Sequence, residues 1–270
     1  MPEGIENVLC LLTKTVSRIS RRKFLGLTTL AFPAIAGLDA RWGAPRRLRV
    51  RSFKLNAEPK SRFVHFSDLH YTGDSAYAAE IVATINQLKP DFVCFTGDLV
   101  EHRTYAGAAL HFIRQIEAPV YGIPGNHDYW SRSPLAEYER AFTATGGAWL
   151  ANRGAVLPKH DLELLGMDIT GMPKTQSAAV RRHILLLHYP VMADRLNSRQ
   201  FDLILAGHSH GGQVRIPLLG PVIMPRGVGP YDYGRYQTPA GPLYVNAGVG
   251  TLSTFPVRWN CPPEIMVVTI

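Results

Sequence analysis

Arg62-Phe63-Val64-His65-Phe66-Ser67-Asp68-Leu69-His70 is an apolar run that ends in a carboxylate and an imidazole two residues apart. The run Phe63–Phe66 is continuous rather than alternating, as expected of a strand buried on both faces. The arrangement recurs downstream. Phe92–Phe95 leads to Gly97-Asp98, and Val120–Ile123 to Gly125-Asn126-His127-Asp128. Ile184–Leu187 leads to His188, and Leu203–Ala206 to Gly207-His208-Ser209-His210. Leu48–Leu55, Leu243–Val245 and Ile265–Ile270 read as further strands. Ser75–Leu88, closed by Lys89-Pro90, and Ala106–Ile116 carry apolar residues at helical spacing. Strands alternating with helices predict α/β layers. Every polar motif then falls at a strand's C-terminal end, where loops converge into a crevice. Tyr129–His160 is irregular and predicts a helix plus a loop at the substrate rim, with a peripheral hairpin as the alternative.

Taken singly, these motifs have bland explanations. A histidine at a strand end is usually structural, Gly-Asp is usually a turn, and Asn-His can cap a helix. Five of them at successive strand ends supply two Asp, one Asn and four His, besides His127. That donor set suits borderline transition metals such as Mn, Fe or Zn, whereas Mg and Ca favour oxygen-only cages. No thiolate takes part, which rules out a structural zinc ribbon. Two cations about 3.5–4 Å apart can clamp a phosphate and deprotonate a bridging water for in-line attack.

In their order, Asp-x-His, Gly-Asp, Gly-Asn-His-Asp, His and Gly-His-x-His, the motifs resemble those of the calcineurin-like metallophosphoesterase superfamily. The resemblance covers roughly Arg62 to Gly211. The run Leu243-Tyr244-Val245-Asn246-Ala247-Gly248-Val249-Gly250, followed by Pro263-Glu264-Ile265, is similar to the exported or membrane-associated YkuE/YaeI-like branch. The resemblance implies a four-layer αββα sandwich of two mixed sheets flanked by helices. It implies one cation on Asp68, His70, Asp98 and His210, and a second on Asp98, Asn126, His188 and His208, with Asp98 bridging. His127 would protonate the leaving oxygen or stabilise developing charge, and Asp128 would orient its ring. His65 is expected in the core or behind the ligands, and His102 is a candidate neighbour of the site. Tyr71, Tyr231, Tyr233 and Arg235 are candidate rim residues.

The formal charge of +8 does not indicate nucleic acid. Of 29 Lys/Arg and 21 Asp/Glu, twelve and four lie in residues 1–60, which leaves residues 61–270 neutral. A nucleic-acid groove needs its positive charge on the folded body. Cys10, Cys94 and Cys261 make no disulfide framework, although a Cys94–Cys261 pair stays open; Cys94 reads as a small buried hydrophobe. Ser20-Arg21-Arg22-Lys23-Phe24-Leu25, a weakly apolar Gly26–Leu38 and Ala34-Ile35-Ala36 resemble a twin-arginine export signal. A cytosolic basic arm and an uncleaved interfacial anchor are the alternatives. Arg41–Lys60 holds seven Lys/Arg against Glu58, a composition suited to an anionic membrane surface or to a solvated linker. The expected layout is a signal or anchor over 1–40, a basic linker and first strand over 41–60, and the catalytic domain over 61–270.

These readings converge on a dinuclear phosphoesterase that attacks phosphorus with a metal-bridging hydroxide. The branch resemblance implies a phosphodiester or pyrophosphate on an envelope or lipid-linked molecule, in the manner of UDP-2,3-diacylglucosamine in lipid A synthesis. That pathway runs at the cytoplasmic face, which conflicts with a cleaved export signal. A non-catalytic metal-bound scaffold is the alternative, and the intact ligand set argues against it.

Overall fold

The computed structural model describes residues 36–55, 59, 61–171, 177–196 and 199–270. The chain divides into two units, Met1–Asp39 and Ala40–Ile270. Of the first, only 36–39 are described, so the export-signal reading lies almost wholly outside the described residues. No described helix is long and apolar enough to cross a membrane.

In chain order the strands are β1 (Arg49–Lys54), β2 (Arg62–Phe66), β3 (Phe92–Phe95), β4 (Val120–Gly122), β5 (Ala148–Trp149), β6 (Gly154–Leu157) and β7 (Leu162–Gly166). They continue with β8 (Arg182–Leu186), β9 (Leu203–Ala206), β10 (Arg215–Ile216), β11 (Gly220–Pro221), β12 (Gly234–Thr238), β13 (Gly241–Val245) and β14 (Glu264–Thr269). Helices α1 (Ser75–Gln87), α2 (Ala106–Arg114), α3 (Asn126–Trp130) and α4 (Leu135–Ala144) all lie between β2 and β5.

Two six-stranded mixed sheets result, ordered β1-β14-β2-β3-β4-β5 and β12-β13-β9-β8-β7-β6. In the first, β2, β3 and β4 run parallel, and in the second β7, β8, β9 and β13 do. The period-2 pleat sorts each strand's side chains into two cores. Phe63 and Phe92 point between the sheets, where they meet Leu164, Ile184, Leu205 and Val268. Val64, Phe66, Val93 and Phe95 point the other way, under the helices. Continuous apolar runs are therefore required, because both faces are covered.

Helix α1 shows how the outer layer is attached. The Asp74 carboxylate accepts from the Tyr77 N–H at 3.2 Å and caps the helix start. Ala78, Ile81, Val82 and Ile85 form the buried stripe. Pro90 then denies Lys89 a helical continuation. The outer face of the second sheet is covered more thinly, by the 3-10 helix Pro190–Arg195 and by Leu196, Phe201 and Tyr231.

The Tyr129–His160 segment differs from its expected form. It holds α4, whose Tyr138 and Phe142 are fully buried, and then β5 and β6, which extend one edge of each sheet. Strands of two and four residues are too short to show a period, so only the helix was readable. Cys94 and Cys261 are free and buried, so the alternative disulfide is absent.

His65 offers a pH test of this interior. It is fully buried, its Nε2 2.9 Å from Thr96 Oγ1, and burial pulls its pKa down to about 3. The unfolded chain takes up this proton near pH 6.5 while the folded chain does not. Stability is therefore full above that pH and falls by about 1.4 kcal/mol per pH unit as the pH drops towards 3. Urea unfolding of metal-free protein at pH 7.5 and 5.5 should show wild type losing about 1 kcal/mol more than His65→Gln over that interval.

Candidate metal centre

The loops that leave β2, β3 and β4 meet those that leave β8, β9 and β13 at one end of the sandwich. Asp68 N–H donates to Gly97 O, Val249 N–H to Ser67 O, and Asn246 N–H to Ala206 O, each at 2.9 Å. Asp68, His70, Asp98, Asn126, His188, His208 and His210 are thereby gathered and buried. Five of the seven, Asp68, His70, Asp98, His208 and His210, adopt positive φ between 43° and 67°. Non-glycine residues avoid that region, and such strain persists where a site demands it.

Two motif glycines follow from the crowding. A Cβ on Gly207 would sit 2.5 Å from Asp68 Oδ2, and one on Gly125 would overlap Asp98 Oδ1. The glycines are there so that backbone can press against the carboxylates.

The seven side chains form two sets. In one, Asp68, His70 and His210 converge, with His210 Nε2 3.6 Å from Asp68 Oδ1 and 3.0 Å from His70 Nε2. In the other, Asp98, His188 and His208 converge, with His188 Nε2 3.3 Å from Asp98 Oδ2 and 3.0 Å from Asn126 Oδ1. Asp98 Oδ2 also lies 3.4 Å from His70 Nε2, so this carboxylate touches both sets. In two of the rings the second nitrogen is held by a backbone carbonyl, as in metal-ligating histidines. His188 Nδ1 donates to Thr96 O and His208 Nε2 to Arg226 O, both at 2.7 Å.

The charges fit cations. Burial, reinforced by Asp98, raises the Asp68 pKa. Burial works against ionised Asp98 too, but His188, His70 and His127 outweigh it and hold the carboxyl well below the usual range. Burial disfavours charge on His188, yet Asp98 and Asp68 together lift its pKa to about 9. Burial and then His188 push His208 down to about 3, and burial and His70 hold His210 well below the usual imidazole range. Neutral His208 and His210 beside ionised Asp98 could offer lone pairs to a divalent ion, and such an ion would displace the proton on His188.

The expected role of Asp128 is corrected. Its carboxylate is fully buried and accepts from Gly125 N and Asp98 N at 2.9 Å, Leu99 N at 3.0 Å and Tyr138 OH at 3.1 Å. It fastens the β3 and β4 loops together and does not orient the His127 ring. Its position two residues into α3 turns it back towards the backbone. Burial, with Asp98 nearby, raises its pKa to about 6.

The carboxylate at His127 is Glu101, which no sequence motif singled out. Its Oε2 is 3.5 Å from His127 Nδ1, and its Oε1 is 2.7 Å from His70 Nδ1 but out of line for a hydrogen bond. His70, Glu101 and His127 could themselves group around an ion. His70, however, already directs Nε2 at Asp68 and Asp98, so Glu101 reads as the residue that positions two rings. Its only sequence signal was an acid three residues beyond Asp98. His127 is partly exposed, packed edge-on to His70 at 4.7 Å and against Trp130 at 5.0 Å. Burial opposes its charge, but Glu101 and Asp98 raise its pKa. Glu101→Gln should weaken metal affinity about 10–100-fold, as losses of such supporting carboxylates do, measured by competition with a chromogenic chelator.

The remaining candidates fall elsewhere. His102 caps the turn at Arg103–Tyr105. Tyr231 bonds Asp194, Tyr233 bonds Glu264, and the Arg235 guanidinium sits 5.9 Å over the Phe53 ring. Tyr71 does line a cavity of about 460 Å³ whose wall includes His70.

A two-sheet sandwich with buried Asp and His clusters at the junction of its loops has the makings of a metal-dependent hydrolase. Residues 61–212 match the model of the calcineurin-like phosphoesterase family, and the chain belongs to that family. It is 32% identical to metallophosphoesterase YkuE of Bacillus subtilis, over 94% of this chain and 99% of that one. It is 28% identical to phosphodiesterase YaeI of Escherichia coli, over 93% and 99%. It is 25% identical to UDP-2,3-diacylglucosamine pyrophosphatase LpxG of Chlamydia trachomatis, over 89% and 94%. The chain is a phosphoric ester hydrolase with clusters able to hold divalent metal.

Proposed function

We propose that the chain hydrolyses a phosphodiester or pyrophosphate bond on an envelope or lipid-linked molecule, using two divalent cations of the Mn, Fe or Zn kind. The observation that carries this reading is the convergence of seven buried ligands beside the cavity at His70. Arg41, Arg46, Trp42, Leu69 and Pro256 line that cavity, an amphipathic wall suited to a phosphate joined to an apolar group. The names of YaeI and LpxG, a phosphodiesterase and a pyrophosphatase of a lipid-linked nucleotide, support the same class.

Asp68, His70, Asp98 and His210 hold one cation; Asp98, Asn126, His188 and His208 hold the other. When bound, the pair polarises the phosphoryl group and activates the attacking water. The protein's own part is proton control and placement. Glu101 keeps the His127 ring protonated from its Nδ1 side, which leaves Nε2 to donate a proton to the departing oxygen. Asp98 Oδ1 accepts from the His127 N–H at 2.7 Å and so fixes the ring's backbone.

The N-terminal Arg21-Arg22 pattern supports export to the envelope by a twin-arginine-type signal, or an anchor. Association with the cytoplasmic face is the alternative that a lipid A substrate would require, and cell fractionation distinguishes the two.

Metal-loaded protein should be assayed against p-nitrophenyl phosphate, its bis ester, nucleotides and a UDP-lipid. The diester and pyrophosphates should turn over faster than the monoester, and His127→Ala should lose about 100–10,000-fold with its metal retained. Turnover of monoesters alone would overturn the substrate class.

A further inference from the structure

The β10–β11 hairpin begins five residues beyond His210. It exposes Ile216, Leu218, Leu219, Val222 and Ile223, with relative exposures of 42, 106, 81, 54 and 66%. Leu218 stands at the tip with φ 69°. Gly or Asn adopts that conformation most cheaply, whereas a leucine is strained there and buries nothing. An aliphatic prong of this kind gains only if it enters an apolar medium.

Beside the hairpin's base, Arg47, Arg49, Arg51 and Arg215 line a second cavity, of about 210 Å³, against Tyr233. The Arg51 and Arg215 guanidinium groups lie 5.5 and 5.7 Å from the Tyr233 ring centre. Glu264 faces Arg51 at 3.3 Å and Asp232 faces Arg215 at 2.8 Å. Between Asp202 and Asp232 the chain carries no Asp or Glu, but it does carry Arg215 and Arg226. The arginines come from β1 and from β10, far apart in sequence, so the fold alone brings them together.

We infer that the hairpin and the arginine cavity form one docking surface for a bilayer that contains anionic phospholipid. The aliphatic tip enters the acyl region and the cavity receives a headgroup phosphate. A protruding aliphatic tip with cations beside its base fits a bilayer; a protein partner would call for a flatter patch with aromatic anchors. The hairpin is tied to the metal centre on both sides. Arg215 Nη1 donates to Gly211 O at 2.9 Å, next to His210, and Arg226 O receives the His208 ring N–H. Docking therefore sets the metal centre beside the lipid surface. It is independent of the proposed substrate, because a docked enzyme hydrolyses a soluble diester equally well.

The test is co-sedimentation of the full chain with vesicles of phosphatidylcholine alone or mixed with phosphatidylglycerol. Wild type should bind the mixed vesicles and not the neutral ones. L218N/L219S should weaken binding at least about tenfold through lost apolar burial. Arg49→Glu should weaken it about tenfold through charge. Both variants should keep wild-type hydrolysis of bis-p-nitrophenyl phosphate, which certifies their folding. Wild type left in solution with the mixed vesicles overturns the inference. So does L218N/L219S that binds as wild type, since the basic N-terminal arm would then be the anchor. Self-association that is abolished by L218N/L219S, without vesicle binding, would make the hairpin a protein interface instead.

Discussion

Asp98→Asn should reduce phosphodiester hydrolysis by at least about 1,000-fold, a barrier increase of roughly 4 kcal/mol. Asp98 Oδ2 lies 3.4 Å from the His70 ring and 3.3 Å from the His188 ring, one from each ligand set. An amide keeps the shape but removes the negative charge that the two proposed cations would share. Metal content measured by mass spectrometry should fall below two per chain in the same protein. Full occupancy with wild-type turnover would remove Asp98 from the bridging position. A merely structural effect is excluded if the purified variant keeps the wild-type circular dichroism spectrum.

Arg258→Met should destabilise the fold by about 3–5 kcal/mol, the cost of leaving several buried backbone carbonyls without donors. Arg258 is completely buried. Its guanidinium donates to the carbonyls of Ala247, Gly248, Gly250 and Cys261 at 2.6–3.2 Å, so backbone dipoles rather than a carboxylate neutralise it. Those carbonyls belong largely to the loop after β13, which packs against Asp68. Methionine fills the volume but leaves several carbonyls unpartnered. Lysine should rescue little, because a point charge cannot reach donors spread over a planar fork. The midpoint of urea unfolding checks both variants, and a loss below about 1 kcal/mol would contradict the clamp.

What was legible in the sequence follows from what each residue does locally. Asp68, His70, Asp98, Asn126, His188, His208 and His210 stood out because a polar residue directly after an apolar strand needs a reason. That reason survives without knowing which sheet the strand joins. The sheets themselves were not legible, since β2 and β9 are both buried on two faces and read alike. The two-sheet form entered through the family resemblance. The role expected of Asp128 falls to Glu101 because side-chain direction decides it. A helical start turns Asp128 onto backbone N–H groups, and a loop brings Glu101 back to His127. Arg258 sits among Phe255, Pro256 and Trp259 with no periodic pattern, so its burial had no signal. The left-handed backbone at five ligands was equally silent, because composition does not encode φ.

The ligands come from both halves of the sandwich: Asp68, His70, Asp98 and Asn126 follow strands of one sheet, and His188, His208 and His210 follow strands of the other. A cation they shared would also be a rivet between two layers, added to their apolar packing and a handful of hydrogen bonds. Starving the cell of metal should then do more than silence the enzyme. It should open the seam to proteases, so that the amount of protein, and not only its activity, follows the metal supply.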